Sequence, residues 1–148
     1  MAEITPWRAC AGAALVSLLG ALAIPAGAGA PTLAVIVHPS HTEPIDEPWL
    51  RLVYLKQRRY WDDGSPIVPV NRESGSHERE VFSTRVLRMT AARLAIYWNE
   101  RYFEGTLPPI TLSSNIAVKR YVAHERSAVG YVPPEEVDAS VKVVLTIE

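Results

Sequence analysis

The stretch YWDDGSPIVPVNRESGSHEREVF, residues 60–82, decides the fold of this chain. The Asp-Gly pair at 63–64 predicts a turn, because glycine accepts a positive φ and aspartate hydrogen-bonds its own backbone. The β-forming residues Ile67, Val68 and Val70 then predict a strand. Pro66 and Pro69 cannot donate a hydrogen bond to a neighbouring strand, so we expect this strand to be short or to lie at a sheet edge.

A polar loop and a helix follow that strand, and they form the candidate site of the chain. Arg72, Ser74, Gly75 and Ser76 stand where the helix begins. A helix start offers free N–H groups and the positive end of the helix dipole, and an arginine adds a forked cationic donor. These residues predict a site for an oxyanion such as phosphate or sulfate. The alternative is ordinary helix capping, with the arginine paired to Glu73.

The first residues have the layout of a secretory signal peptide. An apolar run at 9–24 follows Arg8, and small residues follow Pro25. This pattern predicts a signal peptide at 1–28, cleaved after Ala28 rather than Ala30, followed by one domain at 29–148. The mature protein is then expected in the periplasm or secreted. A retained N-terminal anchor is the alternative.

Composition and charge exclude several classes of protein. The only cysteine, Cys10, leaves with the predicted signal peptide, so the mature chain would fold without a disulfide. A formal net charge of −1 gives no reason to expect nucleic-acid binding. The four histidines show no metal-ligand spacing, and no nucleophile elbow or phosphate-binding P-loop is present. We therefore expect no metal, no cofactor and no enzyme activity.

Hydrophobic patterning predicts mixed strands and helices in the order strand, helix, strand, three helices and two strands. This order is typical of an α/β or α+β domain in three layers. The predicted strands lie at 32–37, 67–70, 128–132 and 141–147, and the predicted helices begin near Asp46, Ser76, Thr90 and Ser113.

An aromatic stripe marks the helix that follows Thr90. Leu94, Tyr97, Trp98 and Tyr102 recur at helical spacing. A stripe of this kind could form a stacking platform for a ligand, but it is more typical of core packing. We expect Trp98 and Tyr102 to be core residues.

The order and spacing of these residues resemble the phosphate-binding proteins of ABC transporters. The resemblance rests on the Ile-x-Pro-Val strand at 67–70, on Arg72, on the Ser-Gly-Ser loop at 74–76, on Phe82 and on the Ala-Val-Gly-Tyr-Val segment at 128–132. It implies a type 2 periplasmic-binding-protein-like fold, here a single lobe with a mixed sheet flanked by helices.

The same resemblance implies a ligand and its residues. Arg72, Ser74, Gly75 and Ser76 match the family's arginine and Ser-Gly-Thr loop, which hold phosphate, and Ser76 keeps the hydroxyl of the usual threonine. An ABC permease or another envelope protein is the implied partner, and a homodimer could cover the open face. The alternative function is a ligand-free interaction module of the same fold.

Overall fold

The computed structural model describes residues 32–148. The predicted signal peptide, its cleavage site and Cys10 lie outside the described residues. Within the described part, every helix is too short or too polar to cross a membrane.

The strands of the described residues are β1 Leu33–Val37, β2 Val68–Arg72, β3 Ile110–Leu112, β4 Ala128–Val132 and β5 Lys142–Ile147. These five strands form one mixed sheet in the order β3-β2-β4-β1-β5. Strand β1 pairs antiparallel with both β4 and β5, whereas β2 runs parallel to β3 and β4. The helices are α1 Glu47–Tyr54, α2 His77–Phe82, α3 Ala91–Phe103 and α4 Asn115–His124, with a π-helix at Ser83–Leu87 and a 3₁₀ turn at Pro134–Glu136.

Helices cover both faces of the sheet, as the unbroken apolar sequence of β1 predicts. Every residue of β1 is buried. Leu33, Val35 and Val37 pack with α1, α2, the π-helix and Leu94 of α3. On the other face, Ala34 and Ile36 pack against α4. The predicted three-layer α/β architecture is therefore confirmed.

Proline is accommodated in β2 by staggered pairing. Val68 and Pro69 pair only with β4, and Val70 to Arg72 pair only with β3. Pro69 therefore comes one residue before β2 begins to pair with β3. Its missing N–H removes no hydrogen bond from the ladder between these two strands. The strand is short, as expected, but the edge position offered as the alternative is wrong.

The helix predicted to begin near Ser76 changes from α-helical to π-helical winding along its length. It is α-helical to Phe82 and π-helical over Ser83–Leu87, and it ends at Arg88 in the left-handed conformation (φ 55°). The buried pairs Val81-Phe82 and Val86-Leu87 are five residues apart, which matches the i→i+5 repeat of a π-helix. The π turn thus keeps both pairs facing the core.

The short strand β3 was not predicted from the sequence. Three residues after a Pro-Pro pair carry little hydrophobic pattern, and they form a strand by pairing with β2.

Tyr102 of helix α3 is 63% exposed, so its assignment to the core is wrong. Trp98 is only partly buried at the edge of the core. Helix α3 buries Leu94 alone, because it covers the end of the core rather than its centre.

A tyrosine hydroxyl ties helix α1 to two neighbouring strands. Tyr54 is 1% exposed, and its hydroxyl lies 3.0 Å from the carbonyl oxygens of both Val70 in β2 and Val129 in β4. Burial raises the pKa of Tyr54 well above its usual value, so the hydroxyl remains a proton donor. The two carbonyl groups that the Tyr54 hydroxyl contacts lie where β2 stops pairing with β4 and begins to pair with β3.

We predict that Tyr54→Phe lowers the free energy of unfolding by about 1–3 kcal/mol, because two buried carbonyl groups lose a donor. Urea unfolding followed by circular dichroism measures this. Tyr60→Phe is the matched control, since Tyr60 is 60% exposed, and it should change stability by less than about 0.5 kcal/mol. Equal stability of the two variants would contradict the assignment.

Candidate functional site

The loop between β2 and α2 is shaped by a turn and a cap. The N–H of Ser76 donates to the carbonyl oxygen of Glu73 at 3.2 Å, and the Ser76 hydroxyl accepts from the N–H of Arg79 at 3.2 Å. Gly75 has φ 91°, a conformation that side chains strongly disfavour. Within residues 32–148, the N–H groups of Ser74 and Gly75 donate no hydrogen bond. The loop therefore presents two free backbone donors.

Arg72 ends β2, and its side chain is held by β3 and α4. Its Nε donates to Asn115 Oδ1 at 2.6 Å, and its Nη1 donates to the carbonyl oxygen of Leu112 at 3.0 Å. The side chain is 9% exposed, and Nη2 lies 3.9 Å from Glu78 Oε2. Nη1 lies 3.7 Å from Glu73 Oε1, so the pairing to Glu73 given as the alternative is present. Most donors of this guanidinium are therefore already engaged by protein groups. The direct effect of the side chain is to fix the end of β2.

Asn115 is the centre of the network that surrounds Arg72. Its amide nitrogen donates to Glu78 Oε1 and to Glu136 Oε1, both at 2.9 Å. Partial burial alone would raise the pKa of Glu78. The hydrogen bonds from Asn115 and from its own N–H, with the charges of Arg72 and His77, bring that pKa below its usual value. Glu78 is thus held as a carboxylate.

A cavity of about 360 Å³ opens beside this loop. Ser74 and Gly75 lie on its rim, and its apolar wall comes from the π-helix end and α3, through Met89, Leu94 and Trp98. Its volume is at the lower end of the about 300–1,000 Å³ typical of ligand pockets. Arg72 and Ser76 do not line it. The structure therefore brings two of the four predicted residues to the cavity.

The cation that lines the cavity is Arg79, which the sequence analysis did not single out. Within the described residues, Arg79 forms no ion pair. Arg79 contacts the hydroxyl of Tyr131. Burial raises the pKa of Tyr131 to about 12, and the positive charge of Arg79 acts in the opposite direction by lowering that pKa. Glu80 also lines the cavity and places one carboxylate there. Arg79 stands three residues after the capping Ser76, and that position was the only sequence signal for it.

Metal chemistry has no evident site in the part of the chain that the structure describes. No group of three or more histidine, cysteine or carboxylate side chains is placed to hold a metal ion.

Comparisons with known proteins identify the fold. No family model and no curated protein matches the sequence. A protein described as a putative phosphate ABC transporter substrate-binding protein from Clostridium perfringens, solved with bound phosphate, matches with a TM-score of 0.63 and 25% identity. An ABC-type phosphate transport receptor from Vibrio cholerae matches with a TM-score of 0.61 and 23% identity. A possible phosphate binding protein from Planctomyces limnophilus matches with a TM-score of 0.55 and 16% identity.

These matches cover 76% of this chain but only 44%, 43% and 40% of the Vibrio, Clostridium and Planctomyces proteins, so the chain spans less than half of their length. All three are described as phosphate receptors or binding proteins. The resemblance read from the sequence is confirmed, and the chain has the periplasmic-binding-protein-like fold of phosphate-transport receptors over less than half of their length.

Proposed function

We propose that this protein binds phosphate or a similar oxyanion in the cavity beside the loop at 74–76. The observation that carries the proposal is the position of Arg79, a cation without an ion pair in residues 32–148, on the cavity that Ser74 and Gly75 rim. Likeness in fold to a receptor solved with bound phosphate adds support.

The chemistry of the cavity fits a small oxyanion. The free N–H groups of Ser74 and Gly75 and the Ser74 hydroxyl are neutral donors, and Arg79 supplies charge-assisted bonds. In this proposal Gly75 permits the turn and Ser76 holds the helix start. Arg72 holds the end of β2 that precedes the loop, through Asn115 and the Leu112 carbonyl. All four predicted residues therefore have a part, although only two of them line the cavity.

We further propose that the protein acts outside the cytoplasm, in the periplasm or secreted, as a relative of the substrate-binding components of phosphate ABC transporters. A permease of that class is the proposed partner. The cavity is open on one side, so a bound anion would keep part of its hydration shell. A second copy facing the cavity would remove that water. Sedimentation velocity with and without phosphate tests whether such a homodimer forms.

We predict that Arg79→Gln weakens phosphate binding roughly tenfold to a hundredfold, because the lost charge-assisted bonds contribute ~1.5–3 kcal/mol. Glu80→Gln should strengthen binding, since it removes a carboxylate from the same cavity. Calorimetric titration with phosphate and with sulfate measures both. Absence of binding by the wild type at millimolar phosphate would overturn the proposal and favour the ligand-free interaction module.

We predict that Arg72→Ala lowers stability by about 1–3 kcal/mol, because Asn115 and the Leu112 carbonyl lose their donor. It should lower phosphate affinity by less than Arg79→Gln does, because Arg72 does not line the cavity. Arg72→Lys should restore neither fully, since lysine lacks the fork. Asn115→Ala is the control that breaks the network and keeps the cation. Equal affinity losses in Asn115→Ala and Arg72→Ala would show that Arg72 acts only by holding the loop.

We predict that part of the acid sensitivity of the fold comes from Glu78. Its pKa is lowered in the folded protein, so its stabilising effect is present above the unfolded pKa of about 4.3 and is lost as pH falls through the folded value. Thermal melts between pH 3 and 7 should show a smaller loss of melting temperature for Glu78→Gln than for the wild type. The neighbouring Glu80→Gln should keep the wild-type profile. Identical profiles for all three proteins would contradict this.

A further inference from the structure

A second cavity, of about 370 Å³, lies between the end of α1, the segment leading to β2 and the turn that follows α3. It shares no lining residue with the first cavity. Two cations, Lys56 and Arg59, line it, and neither forms an ion pair within residues 32–148. Two unneutralised like charges on one cavity are unfavourable unless an anion joins them.

Arg59 is held in position by neutral acceptors. Its Nη2 donates to the hydroxyl of Thr106 at 3.1 Å, and its Nε donates to the carbonyl oxygen of Lys56 at 3.3 Å. No hydrogen bond of Nη1 to protein occurs in the described residues. The guanidinium is thus oriented by two contacts and retains donors for a ligand.

Lys56 occupies a backbone position that favours glycine. It has φ 58° and follows the cap of α1, where its N–H donates to the carbonyl of Val53 and the next N–H, of Gln57, donates to that of Leu52. This is a Schellman motif, whose left-handed residue is usually glycine. Burial and the charge of Arg59 both lower the pKa of Lys56. A lysine at this position is disfavoured by its backbone, by burial and by its neighbour, and such strain often marks a functional site.

Apart from Thr106 and Gly105, the remaining walls of the cavity are largely apolar. Tyr60, Pro66, Ile67 and Leu107 line it beside the two cations, and Tyr60 and Leu107 are 60% and 64% exposed. A small inorganic anion would leave these surfaces in water. A ligand that carries an apolar group beside its charge would cover them.

We propose that this cavity is a binding site for a phosphate monoester with an apolar group. The phosphate would lie between Lys56 and Arg59, because a monoester carries about −1.5 to −2 charge at pH 7 and two cations match it. The apolar group would pack against Tyr60, Pro66 and Leu107. This site is separate from the oxyanion cavity and does not depend on the function proposed for it.

The test uses phenyl phosphate as the probe and inorganic phosphate as its comparison. Calorimetric titrations are done in an Arg79→Gln background, so that binding at the first cavity is weakened. Phenyl phosphate should bind more tightly than phosphate. Lys56→Gly and Arg59→Gln should each weaken its binding at least about tenfold, the effect expected for loss of one charge-assisted contact. Arg85→Gln, an exposed arginine outside the cavity lining, should leave binding unchanged.

Stability separates a binding role of Lys56 from a structural one. Lys56→Gly should raise the melting temperature, because glycine accepts the left-handed conformation, while it weakens binding of phenyl phosphate. Binding that is unchanged in Lys56→Gly and Arg59→Gln would overturn the proposal, and so would absence of binding at millimolar phenyl phosphate. Equal affinity for phenyl phosphate and phosphate would overturn the assignment of the apolar wall.

Discussion

The stack of Phe82 on Tyr131 is the contact on which the rest of the structure depends. The two rings are nearly parallel, at 4° with centroids 4.1 Å apart, and Tyr54 packs against both. The Tyr131 hydroxyl donates to Asn71 Oδ1 at 3.1 Å and accepts from the N–H of Arg72 at 3.3 Å. One side chain of β4 therefore fixes the helix that follows the loop and the strand that precedes it. The geometry of the loop at 74–76 follows from its two anchored ends.

The sequence was informative wherever a signal is local. Asp46, Thr90 and Ser114 cap α1, α3 and α4 through their own side chains, and Gly105 has the positive φ expected just after a helix. The continuous apolar runs that form β1 and β4 are likewise a property of short segments, and every residue of both strands is buried. These features predicted most elements, and the family resemblance predicted how they assemble.

Long-range partners explain what the sequence could not predict. Arg72 was expected to face a ligand, but Asn115, 43 residues away in sequence, engages its Nε. No pattern near Arg72 indicates that contact. The cavity is formed by the loop and α3, so its lining depends on how two distant segments pack, and Arg79 became a candidate only when that packing was known. A near-neutral chain can thus place Lys56 and Arg59 together on one cavity, because charges that balance in the sum need not be paired locally, whereas Glu80 accompanies Arg79 on the other cavity.

The π-helix at Ser83–Leu87 contributes residues both to the hydrophobic core and to the lining of the cavity, and the two depend on its length in different ways. If one residue were deleted there, an α-helix could form, and Val81 and Val86 would become four residues apart and still share a face. The hydrophobic core would tolerate that loss. Ser83 and Thr84 line the cavity, however, and a shorter segment would draw α3 and Trp98 towards the loop. The extra residue in this turn therefore acts as a spacer, because the length of the backbone, and not only the side chains, determines the size of the cavity.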